Sequence, residues 1–303
     1  AGSTTNTYSL RVWIDSAAET EVMGTILSKQ LRVEATQVGA KTTTTAMCKR
    51  ATTLHKEVCA TTDTSHLCGA DGYTNGSEIE YGSLGTKGTL TSGDAFDCDV
   101  NGDGTYDPNT ERFYYVSDVT NGVTTDNDTA VLIYYNNVSG GVASNSTSYA
   151  YDSSNENWYG PVTAVKQLPT TSQWKTTLTN TKRQITTETN TTSTAGGNLP
   201  EFNYEGYAAR LLTYQEVYSG CYDGTTAITS TKGLSTKCKY LMENTKYSNS
   251  SNGTYGGWLE SPRIAYSDSV WFVNSNNYAV NSNTAYTSSH YGVRPAIEVA
   301  KTN

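Results

Sequence analysis

The sequence has few charged residues, few phenylalanines and no long apolar run. Only 17% of its 303 residues are charged, with 21 Lys and Arg against 29 Asp and Glu. Nucleic-acid binding needs clustered positive charge, so this acidic balance argues against a nucleic-acid ligand. No stretch approaches the ~20 consecutive apolar residues of a membrane-spanning helix, and the chain begins at Ala1 without a signal segment. We expect a mature or trimmed soluble piece.

The chain is instead rich in hydroxyl groups and tyrosine. It contains 50 Thr, 30 Ser and 23 Tyr, against 4 Phe. An aromatic fraction of 11% allows burial of enough surface to offset the entropy lost on ordering the chain. The composition therefore predicts a globular protein built from strands and loops.

The six cysteines show no CxxC spacing, which disfavours zinc and thioredoxin-like sites. Their even number favours disulfides, and disulfides indicate a location outside the reducing cytosol. Six cysteines allow fifteen pairings, and we predict only Cys221 with Cys238, which flank one Gly/Thr-rich loop. The alternative is that some of the six are buried free thiols.

Hydrophobic alternation divides the chain into a short first segment and a long second one. Strands are predicted over Thr7–Asp15 and Gln30–Thr36. Residues 1–40 are therefore interpreted as an N-terminal β segment that packs on the rest or is the remainder of a β-sandwich or stalk. The Thr-rich run Lys41–Thr45 is the predicted linker, and residues 41–303 form the second domain.

The second domain combines strand and helix signals. The helical signals are Pro161–Leu168 and Tyr207–Val217, with capping-box spacing between Thr213 and Glu216. The Thr-rich stretch Gln184–Gly197 is interpreted as an exposed loop. Aromatic and β-branched residues predict five strands. These strands are Arg112–Ser117, Ala130–Tyr135, Val270–Val273, the region of Tyr278–Val280, and Gly292–Val299.

An acidic segment after Cys98 has the spacing of a calcium loop. Gly104 stands where such loops turn sharply, and Thr110 occupies the twelfth position, with Glu111 one residue later. The pattern is similar to the DxNxDGxxD loops of dockerins and predicts a structural calcium; the alternative is a solvated turn with acidic caps. Oxygen ligands are predicted at alternate positions, namely Asp99, Asn101, Asp103, Thr105 through its carbonyl, and Asp107.

Three C-terminal motifs resemble bacterial C-type lectin-fold domains and the related formylglycine-generating enzymes. They are Ala208–Val217, Gly256–Pro262 and Tyr291–Ala296. The resemblance implies an α+β, C-type lectin-like fold with long loops and insertions. The catalytic cysteines of the formylglycine enzymes have no counterpart in the C-terminal region, so that activity is not carried over. The EPN and WND motifs of animal lectins are absent as well.

Between these motifs, residues 264–291 resemble the variable region of diversity-generating retroelement proteins. The run lacks Lys, Glu, Gln and Met, and apart from Trp271 each of its residue types can be encoded by a codon that ends in a pyrimidine. Adenine-directed substitution of Asn codons gives this set of residues in those proteins. The alternatives are an undiversified Asn/Ser-rich loop, and a Trp271 or Val273 that points into the core.

The resemblance implies a contact surface in which Tyr provides rigid area and Ser and Asn provide adaptable hydrogen bonds. The predicted ligand-binding residues are Tyr266, Ser267, Asp268, Ser269, Trp271, Asn274, Asn276, Asn277, Tyr278, Asn281, Asn283, Tyr286, Ser288, Ser289, His290 and Tyr291.

The functional expectation is a non-catalytic adhesin or receptor, extracellular or on a bacterial cell surface. The 3 His residues fall in no catalytic motif. We expect a protein or glycan ligand on another cell or phage, and a pilus or surface-fibre partner for the N-terminal segment. The alternatives are an undiversified structural surface or pilus subunit, and an enzyme of the formylglycine-generating type.

Overall fold

The structure is a computed structural model. The chain divides into two units, Ala1–Thr43 and Thr44–Asn303, and every described residue belongs to the second. The strands predicted over Thr7–Asp15 and Gln30–Thr36 and the linker Lys41–Thr45 therefore lie outside the described residues. In the described part of the chain, no helix has the length and apolar character needed to cross a membrane. The described ranges are 47–51, 90–121, 124–144, 147–230, 233–234, 238–241, 256–274, 279–287 and 290–301.

Of the described residues, 37% are in strands, and these residues contain a single α-helix, α1 (Tyr214–Cys221). The expected α+β, C-type lectin-like class is therefore wrong, and the fold is mainly β. The strands are β1 (Cys48–Arg50), β2 (Ala95–Cys98), β3 (Arg112–Asn121), β4 (Thr124–Tyr134), β5 (Val138–Ser139), β6 (Val142–Ala143), β7 (Lys182–Gln184), β8 (Ser193–Thr194), β9 (Gly197–Asn198), β10 (Glu201–Asn203), β11 (Gly257–Pro262), β12 (Ser269–Asn274), β13 (Ala279–Thr284) and β14 (Ala296–Ala300).

The larger sheet is antiparallel, with the order β1-β2-β3-β4-β14. Its long hairpin β3–β4 is rich in aromatic and β-branched residues, which favour strands. The rings of Phe113 and Tyr134 both pack on Trp174, with centroid distances of 5.6 and 5.1 Å. This sheet contains the predicted strands near 112–117 and 130–135 and forms one wall of the core.

The smaller sheet has the order β11-β12-β13, again antiparallel. All six residues of β12 are buried, whereas Asn281 to Thr284 at the end of β13 are partly exposed. A strand buried on both faces reads as a continuous apolar run, as Val270–Val273 does. The remaining pairs are the short ribbons β5–β6, β7–β10 and β8–β9.

Helix α1 begins after Thr213, where the predicted capping box is formed. The Thr213 hydroxyl accepts the Glu216 N–H at 3.0 Å, and the Glu216 carboxylate accepts the Thr213 N–H at 2.9 Å. Gly220 brings the helix close to β3, because a Cβ at this position would lie 2.2 Å from the carbonyl oxygen of Val116. The helix therefore packs directly on the larger sheet.

The remaining helical predictions are wrong. Pro161–Leu168 contains only a 3-10 turn, Ala164–Gln167. Tyr207–Leu212 is not helical, since the N–H and C=O of Arg210 form hydrogen bonds with Ala296 at the start of β14. A long-range strand partner satisfies the backbone there, so local propensity does not decide the structure.

Two of the three motifs behind the family resemblance, Ala208–Val217 and Gly256–Pro262, contribute to a buried group of charges, which we call the ion cluster. Arg210 binds Glu216 through both terminal nitrogens, at 2.9 and 2.6 Å, and binds Glu298 through Nε at 2.6 Å. Arg183 reaches Glu298 at 3.3 Å and Glu260 at 3.4 Å. These side chains are at most 1% exposed, so the ion cluster has a structural role in holding α1, β7, β11 and β14 together.

The charges within the ion cluster support one another. Burial lowers the pKa of Arg210, but the carboxylates of Glu216 and Glu298 more than offset this effect, and the net pKa is raised. Burial raises the pKa of Glu298, and the charges of Arg210 and Arg183 reverse that rise, so its net pKa is lowered. Both groups therefore remain ionised at neutral pH.

Two disulfides join described residues, Cys48 to Cys98 and Cys221 to Cys238. The second is the pair expected from the sequence. Cys221 ends α1, and Cys238 precedes the 3-10 turn Lys239–Leu241. Disulfides persist in oxidising compartments, so they are compatible with a secreted or extracellular protein.

Candidate functional site

The predicted contact residues do not lie on one surface. Trp271 in β12 lies opposite Ser282 in β13, and Phe272 lies opposite Asn281. Successive residues of a strand point to opposite faces, so the predicted set divides between the two faces of the sheet. Ser269 and Trp271 lie on one face, and Asn274, Asn281 and Asn283 lie on the other.

Several predicted contact residues are buried. The ring of Tyr291 is 1% exposed and lies 3.9 Å from the ring of Phe272, and its hydroxyl accepts a 2.6 Å hydrogen bond from Asn283. Tyr291 is thus packed in the core. Burial also removes Ser269 and Asn274 from the open surface, and it leaves Trp271 only 8% exposed.

The exposed part of the predicted set surrounds the end of the smaller sheet. Tyr266 is 45% exposed and Tyr286 is 56% exposed. Ser267 is exposed as well, and a further group is partly exposed, namely Asp268, Asn281, Asn283 and His290. The rest of the predicted contact residues lie outside the described residues, namely Asn276, Asn277, Tyr278, Ser288 and Ser289.

Arg263, which follows β11 and was not predicted, lies between two aromatic rings. Its guanidinium carbon is 4.4 Å from the ring centre of Tyr266 and 5.5 Å from that of Trp271. Nη1 donates a 2.9 Å hydrogen bond to the hydroxyl of Ser282. A guanidinium has five N–H donors, so this bond leaves others for a ligand. A signal was present, because Arg263 is the only Lys or Arg between Gly256 and Tyr291.

Glu188 holds the indole ring of Trp271 in place. One oxygen of its carboxylate accepts 3.0 Å hydrogen bonds from the indole N–H of Trp271 and the backbone N–H of Ile264. Trp271 in turn packs on Tyr214 of α1, with ring centres 5.0 Å apart. Burial, together with the charge of Glu188, raises the pKa of Tyr214 to about 12. These contacts hold Trp271 rigidly beside Arg263.

The position of Glu188 also corrects the prediction for Gln184–Gly197. The stretch contains the end of β7, all of β8 and the start of β9. Ile185 and Thr187 are buried, while Thr189 and Asn190 are exposed. The segment therefore packs on the molecule and contributes Glu188 to the site, rather than forming a wholly exposed loop.

An open depression of about 560 Å³ runs over β13, the edge strand of the smaller sheet. We call it the Arg263 groove. Because it passes over a sheet edge, it includes residues from both faces. It offers a guanidinium, hydroxyls and carboxamides beside aromatic surface, which suits recognition through charge and hydrogen bonds. Its polar lining includes Thr229, Arg263, Asn274, Asn281 and Ser282.

The predicted calcium loop forms the connection between β2 and β3. The Asp99 carboxylate accepts the backbone N–H groups of Gly102, Asp103 and Gly104 at 2.8, 3.0 and 2.9 Å. Gly104 has φ of +84°, a conformation that glycine adopts without strain. The described residues contain no group of three or more His, Cys, Asp and Glu side chains assembled to hold a metal. The calcium site stays a prediction.

Glu111 lies against this loop. One carboxylate oxygen, Oε2, accepts the N–H of Asp107 at 2.9 Å, whereas the other, Oε1, is buried and has no hydrogen-bond partner. Burial raises the pKa of Glu111 to about 7, and the N–H groups of Asp107 and Asn101 oppose that rise. The charges of Asp99 and Asp103 add to it. Glu111 thus faces the acidic side chains of the loop.

Comparison with known proteins gives one finding. The model of a domain of unknown function (DUF6273) matches residues 166–301. This range includes the ion cluster and the Arg263 groove, and it excludes the acidic loop. No curated protein and no solved structure matches the chain.

Proposed function

We propose that this protein binds a ligand in the Arg263 groove without chemical conversion, as an adhesin or receptor of a bacterial cell surface. The observation that carries the proposal is the placement of Arg263 between Tyr266 and Trp271, with guanidinium donors left over after its bond to Ser282. Rigid aromatic and Arg anchors dominate many binding surfaces. The ligand is a protein or glycan of another cell or phage.

The ligand contributes a carboxylate. A guanidinium matches a carboxylate through two parallel hydrogen bonds, and Ser282 and the flanking rings hold the Arg263 side chain in place. Asn281 and Ser282 in the same groove have an amide and a hydroxyl that donate to and accept from neighbouring hydroxyl or amide groups of the ligand. Recognition therefore combines one charged contact with several adaptable ones.

A matched pair of sugars tests this proposal. Galacturonic acid and galactose differ only in the carboxylate, and each is titrated into the labelled protein while backbone and Arg Nε NMR signals are followed. The acid is expected to shift the signals of Arg263 and Ser282, and galactose is expected to leave them unchanged. Equal shifts with both sugars, or no shift with either, would argue against a carboxylate site.

Two variants of Arg263 and one control variant test whether Arg263 binds the carboxylate. Arg263→Gln removes the charge and is expected to abolish the response to the acid. Arg263→Lys keeps the charge without the planar fork and is expected to weaken the response. Lys182→Ala removes an exposed cation of β7 outside the groove and serves as the control. An unaltered titration of Arg263→Gln would contradict the assignment.

We also propose that residues 264–291 are diversified. Exposed positions such as Tyr266, Ser267 and Tyr286 tolerate substitution, whereas Phe272 and Tyr291 are packed in the core. The DNA around the gene provides the test. We expect a nearby near-copy of this coding stretch that differs from it only where the copy has adenine, together with a reverse transcriptase gene. If neither is present, an undiversified surface or pilus subunit becomes the better assignment.

A further inference from the structure

Four carboxylates stand in the loop between β2 and β3 or directly beside it. Asp99, Asp103 and Asp107 stand at alternate positions in the loop, and Glu111 lies against it through the hydrogen bond from Asp107 N–H to Oε2. Asp99 and Asp103 are tied to the loop's own backbone and hydroxyl groups. A carboxylate oxygen has two lone pairs, so these bonds leave acceptor capacity for a cation.

Glu111 provides a second and independent observation. The residue is only 2% exposed, and its Oε1 has no hydrogen-bond partner. A buried carboxylate oxygen without a partner costs free energy. The ordinary environment of such an atom includes a donor or a cation. Because Oε2 of the same carboxylate is bonded to the loop at Asp107, Oε1 is held beside the loop as well.

We propose that the loop binds a calcium ion and that Glu111 supplies the closing carboxylate. Calcium takes six to eight oxygen ligands in a flexible geometry. In loops with this spacing the last ligand is a Glu at the twelfth position, which Thr110 occupies here. Glu111 stands one residue later, and its fold-determined position beside Asp107 compensates for the shift. The other ligands are Asp99, Asn101, Asp103, the Thr105 carbonyl and Asp107.

The site has a structural consequence. Cys98 ends β2 and is joined to Cys48 of β1, and Arg112 at the start of β3 pairs with Asp97 at 2.6 Å. The proposed ion therefore binds the connection between two strands that are already fixed at their ends. Calcium bound here stabilises the connection between β2 and β3, two inner strands of the larger sheet, and it is independent of the Arg263 groove.

Terbium luminescence is the direct test, because Tyr106 within the loop acts as the sensitiser for a bound Tb³⁺ ion. The whole chain is expected to give saturable emission that calcium displaces and magnesium displaces poorly. In thermal unfolding, calcium at about 100 times its Kd should raise Tm by roughly 5–10 °C relative to a chelator. The absence of both saturable emission and a calcium-dependent Tm shift would overturn the proposal.

Variants of Glu111 test its role as a ligand. Glu111→Gln is expected to weaken calcium binding at least tenfold while leaving Tm in chelator equal or higher, since the unpaired carboxylate charge is removed. Glu111→Asp keeps the charge but withdraws the carboxylate by one methylene, and it is also expected to weaken binding. Asp223→Asn alters a comparable exposed turn and is the control. Unchanged calcium affinity in either Glu111 variant would overturn the assignment.

Discussion

The ion cluster and the Arg263 groove use arginine in opposite ways. Arg210 is fully buried, and its guanidinium is bonded to Glu216 and Glu298. Arg263 is partly exposed, and its guanidinium is bonded to one hydroxyl and flanked by two rings. A buried guanidinium needs carboxylate partners to offset the loss of water, whereas a half-exposed one retains capacity for a ligand. Arg210, which belongs to the motif Ala208–Val217, therefore stabilises the fold. Arg263, which follows the motif Gly256–Pro262, is proposed to determine ligand specificity.

The largest effect is expected from breaking the ion cluster. Arg210→Met leaves Glu216 and Glu298 without their main partner in the interior, and we expect it to lower the free energy of unfolding by about 3–5 kcal/mol. Chemical denaturation measures the change. The matched variant Arg263→Met is expected to cost less than about 1 kcal/mol, because solvent covers part of the site. Similar losses of unfolding free energy in both variants would contradict the proposed difference between the two arginines.

A second comparison uses two tyrosines from residues 264–291. Tyr291→Ala removes a core ring packed on Phe272 and Trp258 and is expected to cost about 3–5 kcal/mol, like other buried aromatics. Tyr286→Ala removes an exposed ring and is expected to change stability by less than about 0.5 kcal/mol. Thermal unfolding of both variants is the measurement. A large loss in Tyr286→Ala would place that ring in the core instead.

The smallest expected effect is the acid sensitivity of Glu298. Burial raises its pKa, but the charges of Arg210 and Arg183 more than reverse that rise, so the folded-state pKa lies below the unfolded value. A depressed folded-state pKa gives stability that is present above the unfolded value of ~4.3 and is lost as pH falls through the folded-state pKa. Denaturant titrations from pH 6 downwards are expected to show this decline.

The matched variant Glu298→Gln has no carboxyl group to protonate at this position. Its free energy of unfolding should therefore fall less steeply over the same acid range. An identical slope in the variant and the parent protein would show that other groups cause the acid sensitivity. The groove contains no comparable buried ion pair at Arg263 among the described residues, so Arg263→Gln should retain the parent slope.

Local signals were sufficient for part of the fold. The spacing of Thr213 and Glu216 predicted the start of α1, because a capping box depends on residues three apart. The strand predicted over Ala130–Tyr135 followed from its β-branched and aromatic content. Arg210 was assigned to a helix because its partners, Ala296 and Glu298, are distant in sequence and no local pattern contains them. The predicted α+β class was wrong for the same reason, because strand pairing between residues distant in sequence decides the structure where a local pattern indicated a helix.

The site was harder to predict than the strands. Val270–Val273 is apolar at every position, so alternation did not indicate which face Trp271 occupies. The prediction also favoured Asn, Ser and Tyr by composition and omitted Arg263 and Glu188, which the structure places against Trp271. Glu188 lies between β7 and β8, and Arg263 follows β11. Only the folded chain brings these two segments together.

The two disulfides among the described residues have a mechanical consequence when the chain is pulled from its ends. A pulling force transmitted along the chain passes through the S–S bonds and bypasses the residues they enclose. The bond from Cys221 to Cys238 spans a sequence separation of 17, which withholds roughly 60 Å of extension at about 3.5 Å per residue. The bond from Cys48 to Cys98 spans a sequence separation of 50 and withholds roughly 175 Å on the same scale. Under load, therefore, the chain yields less length than its residue count allows, and a reducing agent restores the difference.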